Sequence, residues 1–311
     1  MTTASAELRR EPRARAPELL LVVATGAATA LILLVLAVLL VDIAGSGAKV
    51  ISWEFLTAGP RGDLSDGGIF PAIFGTVALT LLMTVAAVPA GVATAVFLNE
   101  YAAPESKVAR AIRVCIANLA GVPSIVFGLF GLGFFVSTVG KGIDRAFYDG
   151  HIVYAAPSLV WASLTLAILT LPVVVVATEE ALRAVPRELR DASLALGATR
   201  LQTIVKVVLP EALGGVLTGT ILAISRGAGE VAPIMFTGVA YFLPELPAHF
   251  NDQFMSLSYH VYVLATQSPD VDRTKPLLYG TVLTLLALTF VLNLAAMVLR
   301  MRTRAKVHAT E

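Results

Sequence analysis

Residues 70–98 read FPAIFGTVALTLLMTVAAVPAGVATAVFL, a run of 29 positions without a charged side chain. Apolar residues fill it continuously instead of alternating, so it does not read as a strand with one wet face. In lipid every backbone N–H needs an internal partner, and only helices and closed barrels provide that. The run therefore predicts a transmembrane helix. At 1.5 Å per residue it is longer than a hydrocarbon core of about 30 Å requires, so it tilts or extends beyond the lipid. Five further stretches have the same character: residues 19–41, 112–136, 153–177, 213–242 and 277–299. Pro89, Pro123, Pro172 and Pro233 lie inside these stretches, and transmembrane helices tolerate proline better than soluble ones.

Composition agrees with that reading. Apolar residues make up 57% of the 311 positions and charged residues 14%, with a mean hydropathy of +0.80. Soluble domains carry roughly 25% charge. A net charge of +1 leaves no basic excess with which to displace counterions from nucleic-acid phosphates. The single cysteine, Cys115, excludes an internal disulfide and any thiolate-pair metal site. The first apolar run exceeds the usual signal-peptide core of about 7–15 residues, so it is expected to stay as an anchor. The expected fold class is all-α, a polytopic membrane protein with six transmembrane helices.

Lysine and arginine set the expected orientation. Sixteen of them fall in the N-terminal tail, between the second and third spans, between the fourth and fifth, and in the C-terminal tail; six fall in the opposite loops. The richer side is expected to be cytoplasmic, with both termini there, in the bacterial inner membrane. The expected organisation is a cytoplasmic basic tail over 1–18, an accessory helix over 19–41 and a periplasmic linker over 42–68. A five-helix core over 69–299 containing a cytoplasmic loop at 179–211 and a second basic tail over 300–311 complete it.

That loop is patterned. Residues 186–210 read PRELRDASLALGATRLQTIVKVVLP. Pro186 suits a first helical turn. Leu189, Ala192, Ser193 and Leu196 recur at i, i+3, i+4 and i+7 and form a narrow, mildly apolar stripe. Gly197 fits the left-handed position that ends a helix. Thr199 and Gln202 have capping-box spacing, and Pro210 marks entry to the fifth span. A helix this short is unstable alone, so it requires a partner surface.

These residues carry a resemblance. Asp191-Ala192-Ser193, Gly197 and Val207-Val208-Leu209-Pro210 resemble the EAA loop of ATP-binding-cassette (ABC) importer permeases, with full spacing and with Asp for Glu, Ser for Ala and Val for Ile. Gly68–Thr76, Leu98–Tyr101, Arg226–Pro233, Thr237-Gly238 and Tyr259–Gln267 are similar to permeases of the phosphate-specific transport system, of the PstA rather than the PstC type. The resemblance implies a type I ABC-importer permease fold and phosphate as substrate. It further implies that Asp191, Ala192, Ser193, Gly197, Leu209 and Pro210 form the loop coupling the chain to an ATPase. The implied partners are a second permease (PstC type), an ATPase dimer (PstB type), a periplasmic phosphate-binding protein (PstS type) and membrane lipid. No G-x-x-x-x-G-K-[ST] occurs. The chain is therefore expected to bind no cofactor and to be no enzyme, with ATP and Mg on the partner ATPase.

Arg226 and Glu230 sit inside the fifth apolar stretch, i and i+4 apart. Charges at mid-bilayer cost at least about 2.5–3.5 kcal/mol and persist where they face protein or a wet path. Arg226 is expected to attract an oxyanion along the pathway, with Glu230 orienting it; the competing expectation is an ion pair that locks two helices. His249 and His260 read as surface residues, and Asn118 and Asn293 as bonding across helices. The rival readings of function are a permease for molybdate or sulfate, an ATP-independent transporter or channel, and a phosphate-sensing scaffold.

Overall fold

A computed structural model describes residues 15–61, 66–103 and 105–308; most of the N-terminal basic tail lies outside them. Helix α1 (Arg15–Gly47) leads through α2 (Trp53–Thr57) and the short antiparallel pair β1 (Pro60–Arg61) and β2 (Asp66–Gly67) to α3 (Phe70–Val96). A π-helical turn over Phe97–Tyr101 ends α3. Then come α4 (Lys107–Ala120) and α5 (Ser124–Gly131), which runs through a π-helical segment (Leu132–Gly140) into α6 (Lys141–Phe147). Helix α7 (Leu159–Ala184) is followed by α8 (Arg187–Ala195) and α9 (Arg200–Thr203), and a π turn (Ile204–Val208) joins α9 to α10 (Leu209–Gly229). The chain ends with α11 (Ala232–Thr237), α12 (Leu257–Thr266) and α13 (Val271–His308). Among the described residues six helical segments are long and apolar enough to cross a membrane: 18–47, 70–101, 124–147, 159–184, 200–229 and 271–302.

Helix α7 is the axis of the bundle, with 67% of its apolar window buried against none for α1. Helices α3 and α10 pack along it. Small residues permit the approach: a Cβ on Gly219 of α10 would come within 2.6 Å of the Ala177 Cβ on α7. Many buried threonines return their hydroxyls to the preceding turn, as Thr165 does to the Trp161 carbonyl (2.7 Å) and Thr80 to that of Thr76 (2.7 Å), which lets these polar side chains sit in an apolar core. One apolar cluster, with Leu98, Ile116, Leu182, Val185 and Val208, closes the end of the bundle beside α8. Another, with Leu79, Met83, Leu166, Ile234 and Phe254, fills the opposite half. At that far end the chain between α11 and α12 caps α7: Leu159 N donates to Asp252 O and Val160 N to Phe250 O, both at 2.9 Å. These bonds satisfy donors that a helix start leaves open.

Three expected spans shift. The stretch 112–136 is not one helix: α4 is a separate amphipathic helix, and the third span begins at Ser124. Pro123 lacks the N–H needed to continue α4 and biases Val122 away from helical geometry. The fourth span starts at Leu159 rather than 153. The Asp144 carboxylate accepts from the N–H groups of Val153, Tyr154 and Ala155 at 2.8–3.0 Å and holds that segment as a loop. The span then runs to Ala184, so Glu179 belongs to a membrane helix and not to the 179–211 loop. The fifth stretch, expected to continue to Phe242, breaks at Gly229.

Candidate functional site

The patterned loop folds as its spacing requires. Pro186 stands at the N-cap of α8 instead of within its first turn. Gly197 has φ = +85°, where a Cβ is strained. The Thr199 side chain accepts from Gln202 N (3.3 Å) while Gln202 Oε1 accepts from Thr199 N (2.8 Å), completing the capping box. The apolar stripe of α8 has no cover among the described residues: no residue of α8 is buried, and the side chains of Leu189, Leu194 and Leu196 are exposed. Asp191, Ala192 and Gly197 are exposed and Ser193 is half-buried, its hydroxyl 2.9 Å from that of Thr203. Leu209 and Pro210 are half-buried at the foot of α10.

Two charge clusters flank this hairpin. Arg190 Nη2 lies 2.8 Å from Glu100 Oε1. Arg113 Nε and Nη2 both reach Glu179 Oε1 at 3.2 Å, and Arg183 joins the same oxygen at 3.6 Å. Sequence reading missed the partners Glu100 and Glu179. Their signal was weak: an acidic residue closing a long apolar helix, which charge counting treats as solvated.

Arg226 and Glu230 do meet, Nε to Oε1 at 3.4 Å, but not within one continuous helix. Glu230 is the C-cap of α10, with extended backbone (φ −72°, ψ 139°). Helix α11 restarts at Ala232 with Pro233 in its first turn. Glu230 O accepts from the Ser258 hydroxyl at 3.0 Å. The Arg226 side chain is 44% exposed and that of Glu230 19%, so the arginine lies on an open flank and the carboxylate is tucked behind it. Ser225 donates to Asn293 Oδ1 at 2.6 Å and ties α10 to α13. Asn118, by contrast, is exposed on α4. His249 is exposed as expected. His260 is not a surface residue: it is 2% exposed in α12, its Nδ1 has no hydrogen-bond partner among the described residues, and burial lowers its pKa from 6.5 to about 4.

A bundle with six candidate membrane spans and an exposed helical hairpin at one end has the form of the membrane component of a transporter. The chain belongs to the family of binding-protein-dependent transport system inner membrane components, whose pattern matches residues 87–305. It is 35% identical over 248 residues to the phosphate transport system permease protein PstA 1 of Mycobacterium tuberculosis (strain CDC 1551 / Oshkosh), covering 80% of this chain and 75% of the relative. It is 32% identical over 247 residues to the probable phosphate transport system permease protein PstA of Methanocaldococcus jannaschii, covering 79% and 81%. With the probable ABC transporter permease protein YqgI of Bacillus subtilis it shares 37% over 192 residues, 62% of this chain and 60% of that one. Among solved structures, a chain of a bacterial alginate ABC transporter superposes with a TM-score of 0.67 at 15% identity, covering 93% of this chain and 96% of that one. A chain of the inward-facing MetNI methionine ABC transporter gives 0.58 at 19%, covering 75% and 94%. The fold is that of type I ABC-importer permeases.

Proposed function

We propose that this chain is the PstA-type permease subunit of an ATP-driven importer of inorganic phosphate. The observation that carries the reading is the uncovered α8: a short helix with its apolar stripe exposed is what a groove on an ATPase would receive. Phosphate as the substrate is supported by the PstA relatives, phosphate transport system permeases that align with about four-fifths of the chain.

The assembly comprises this chain, a PstC-type permease, a PstB-type ATPase pair and a PstS-type periplasmic binding protein. The chain holds no cofactor of its own; ATP and Mg sit on the ATPase pair. The α8 end of the bundle and both termini face the cytoplasm. Residues 19–41 serve as an accessory anchor to the core at 69–299. Asp191, Ala192, Ser193 and Gly197 meet the ATPase, and Leu209 and Pro210 pass the displacement into α10. Closure of the ATPase pair draws the paired loops together, and the packed bundles rock as bodies. Arg226, on the open flank of α10, offers its guanidinium to an oxyanion. Glu230 holds that guanidinium in place and moderates its charge, so that the anion is released.

The test is reconstitution of the four-component complex in liposomes with ATP enclosed. Uptake of radiolabelled phosphate that requires ATP and resists excess sulfate and molybdate is the expected result. Uptake of either competitor in preference to phosphate, or transport without the ATPase pair, overturns it.

A further inference from the structure

Helix α8 buries no residue, so apolar packing does not fix its orientation on the bundle. Polar contacts do, and they converge on Glu100 and on the carbonyls that end α7. Arg190 of α8 reaches Glu100 through Nη2–Oε1 at 2.8 Å and Nε–Oε2 at 3.4 Å, a fork on a fork. The same guanidinium donates to the carbonyls of Leu182 (2.8 Å) and Val185 (2.7 Å) and, at 3.4 Å, to Pro186. It thereby closes acceptors that the end of α7 leaves open. Arg200, the first residue of α9, donates to the Glu100 carbonyl and lies over the Tyr101 ring, 5.3 Å from its centroid. Asn99 Nδ2 completes the cradle at 2.8 Å from Glu100 Oε1. The Glu100 and Arg190 side chains are 10% and 18% exposed, so solvent screens the pair weakly.

Glu100 lies in the π turn that ends α3, and α9 runs into the π turn that begins α10. Both arms of the hairpin, before and after the Gly197 corner, are thus tied to one residue at the foot of a different span. Asp191, one position from Arg190, has no partner among the described residues and remains free to meet another chain.

We propose that Glu100 is a positioning residue that clamps the α8–α9 hairpin to the foot of α3, so that displacement of α8 enters the bundle through the Arg190–Glu100–Arg200 clasp as well as through α10. This rests on the coupling role of α8 given above. Without the Glu100 contacts α8 is held to α7 by the Val185–Pro186 link and by the bonds of Arg190 to the carbonyls that end α7, and a pull on it is taken up there instead of moving α3.

Glu100→Gln keeps the side-chain volume and removes the charge; Glu100→Asp keeps the charge on a shorter stem. Hydrogen exchange of the α8 amides in the full chain in detergent, without other subunits, reads the clasp directly. Exchange across residues 187–195 is expected to quicken about tenfold in Glu100→Gln and to recover in part in Glu100→Asp. In the reconstituted complex, phosphate imported per ATP hydrolysed is expected to fall in Glu100→Gln while the hydrolysis rate and subunit copurification hold. Unchanged exchange in Glu100→Gln overturns the clasp. Quickened exchange with an unchanged import-to-hydrolysis ratio overturns its part in transmission. The exchange measurement needs no substrate, so a wild-type complex that imports no phosphate defeats the importer reading alone, and the exchange data still decide the clasp.

Discussion

Among the described residues Arg226 is the one arginine within a span and away from the two ends of the bundle, and its surroundings favour a guanidinium on offer over a buried lock. Its single acidic contact, at 3.4 Å, comes from a helix-capping residue, and nearly half of its side chain is open. Replacing it with glutamine leaves Glu230 half-buried without its cation, which a hydrogen bond to the new amide offsets. Arg226→Gln is therefore expected to copurify with its partners at wild-type yield while ATP-dependent phosphate uptake drops at least about tenfold; normal uptake would remove Arg226 from the pathway. His260 gives a prediction with a sign. Burial holds its folded pKa near 4, against 6.5 for the free side chain. Between those values the unfolded chain binds a proton that the folded chain refuses. Stability is thus intact above pH 6.5 and lost as pH falls toward 4, by roughly 1 kcal/mol per pH unit. Thermal melting in detergent at pH 7 and pH 5 is expected to show a larger decrease for the wild type than for His260→Gln. Equal decreases would show that the imidazole charges freely within the fold.

Elements whose ends are written in local chemistry were legible in the sequence, and elements whose ends depend on distant partners were not. The corner between α8 and α9 needs only Gly197 and the Thr199–Gln202 pair, all adjacent in the chain, and it formed as read. Gly197→Ala is expected to cost about 1 kcal/mol through its left-handed backbone. It should misdirect α9 without unfolding the bundle: far-ultraviolet circular dichroism unchanged, ATPase copurification reduced. The start of α7 was not legible, because the segment before it is held as a loop by Asp144, whose carboxylate gathers three N–H groups nine to eleven residues further along the chain. The breaks at Pro123 and Glu230 were hidden for another reason. Hydropathy averaged over a window sees apolar neighbours on both sides and passes over a single missing hydrogen bond. Pro123 and Pro233 were the local signs, and each marks a helix starting point here and not a kink inside one. Of the candidate site, the exposed face of α8 and the Arg226–Glu230 pair could be read from spacing; the Glu179–Arg113 and Glu100–Arg190 contacts join residues 66 and 90 positions apart and could not.

At the scale of the whole molecule the structure separates two ends that charge distinguishes. Helix α7 has 26 residues and so sets them about 39 Å apart, with the Phe250–Asp252 turn at its start and the α8 hairpin beyond its finish. Lysine and arginine collect at the α8 end and are sparse at the other, an asymmetry that fixes membrane orientation through the cost of translocating them. Leu196, 90% exposed, and Phe250, 64% exposed, report on the two ends. The single native thiol, Cys115, is exposed and must first be replaced by serine. With the chain expressed without its partners, a membrane-impermeant maleimide is expected to label Phe250→Cys in intact spheroplasts and Leu196→Cys only in inverted vesicles. The reverse pattern would place α8 outside the cell, where no ATPase could reach it. Labelling of both from one side would mean an even number of crossings between them and would break the six-span bundle itself, because the span over 200–229, which lies between Leu196 and Phe250 in the chain, would then fail to cross the lipid.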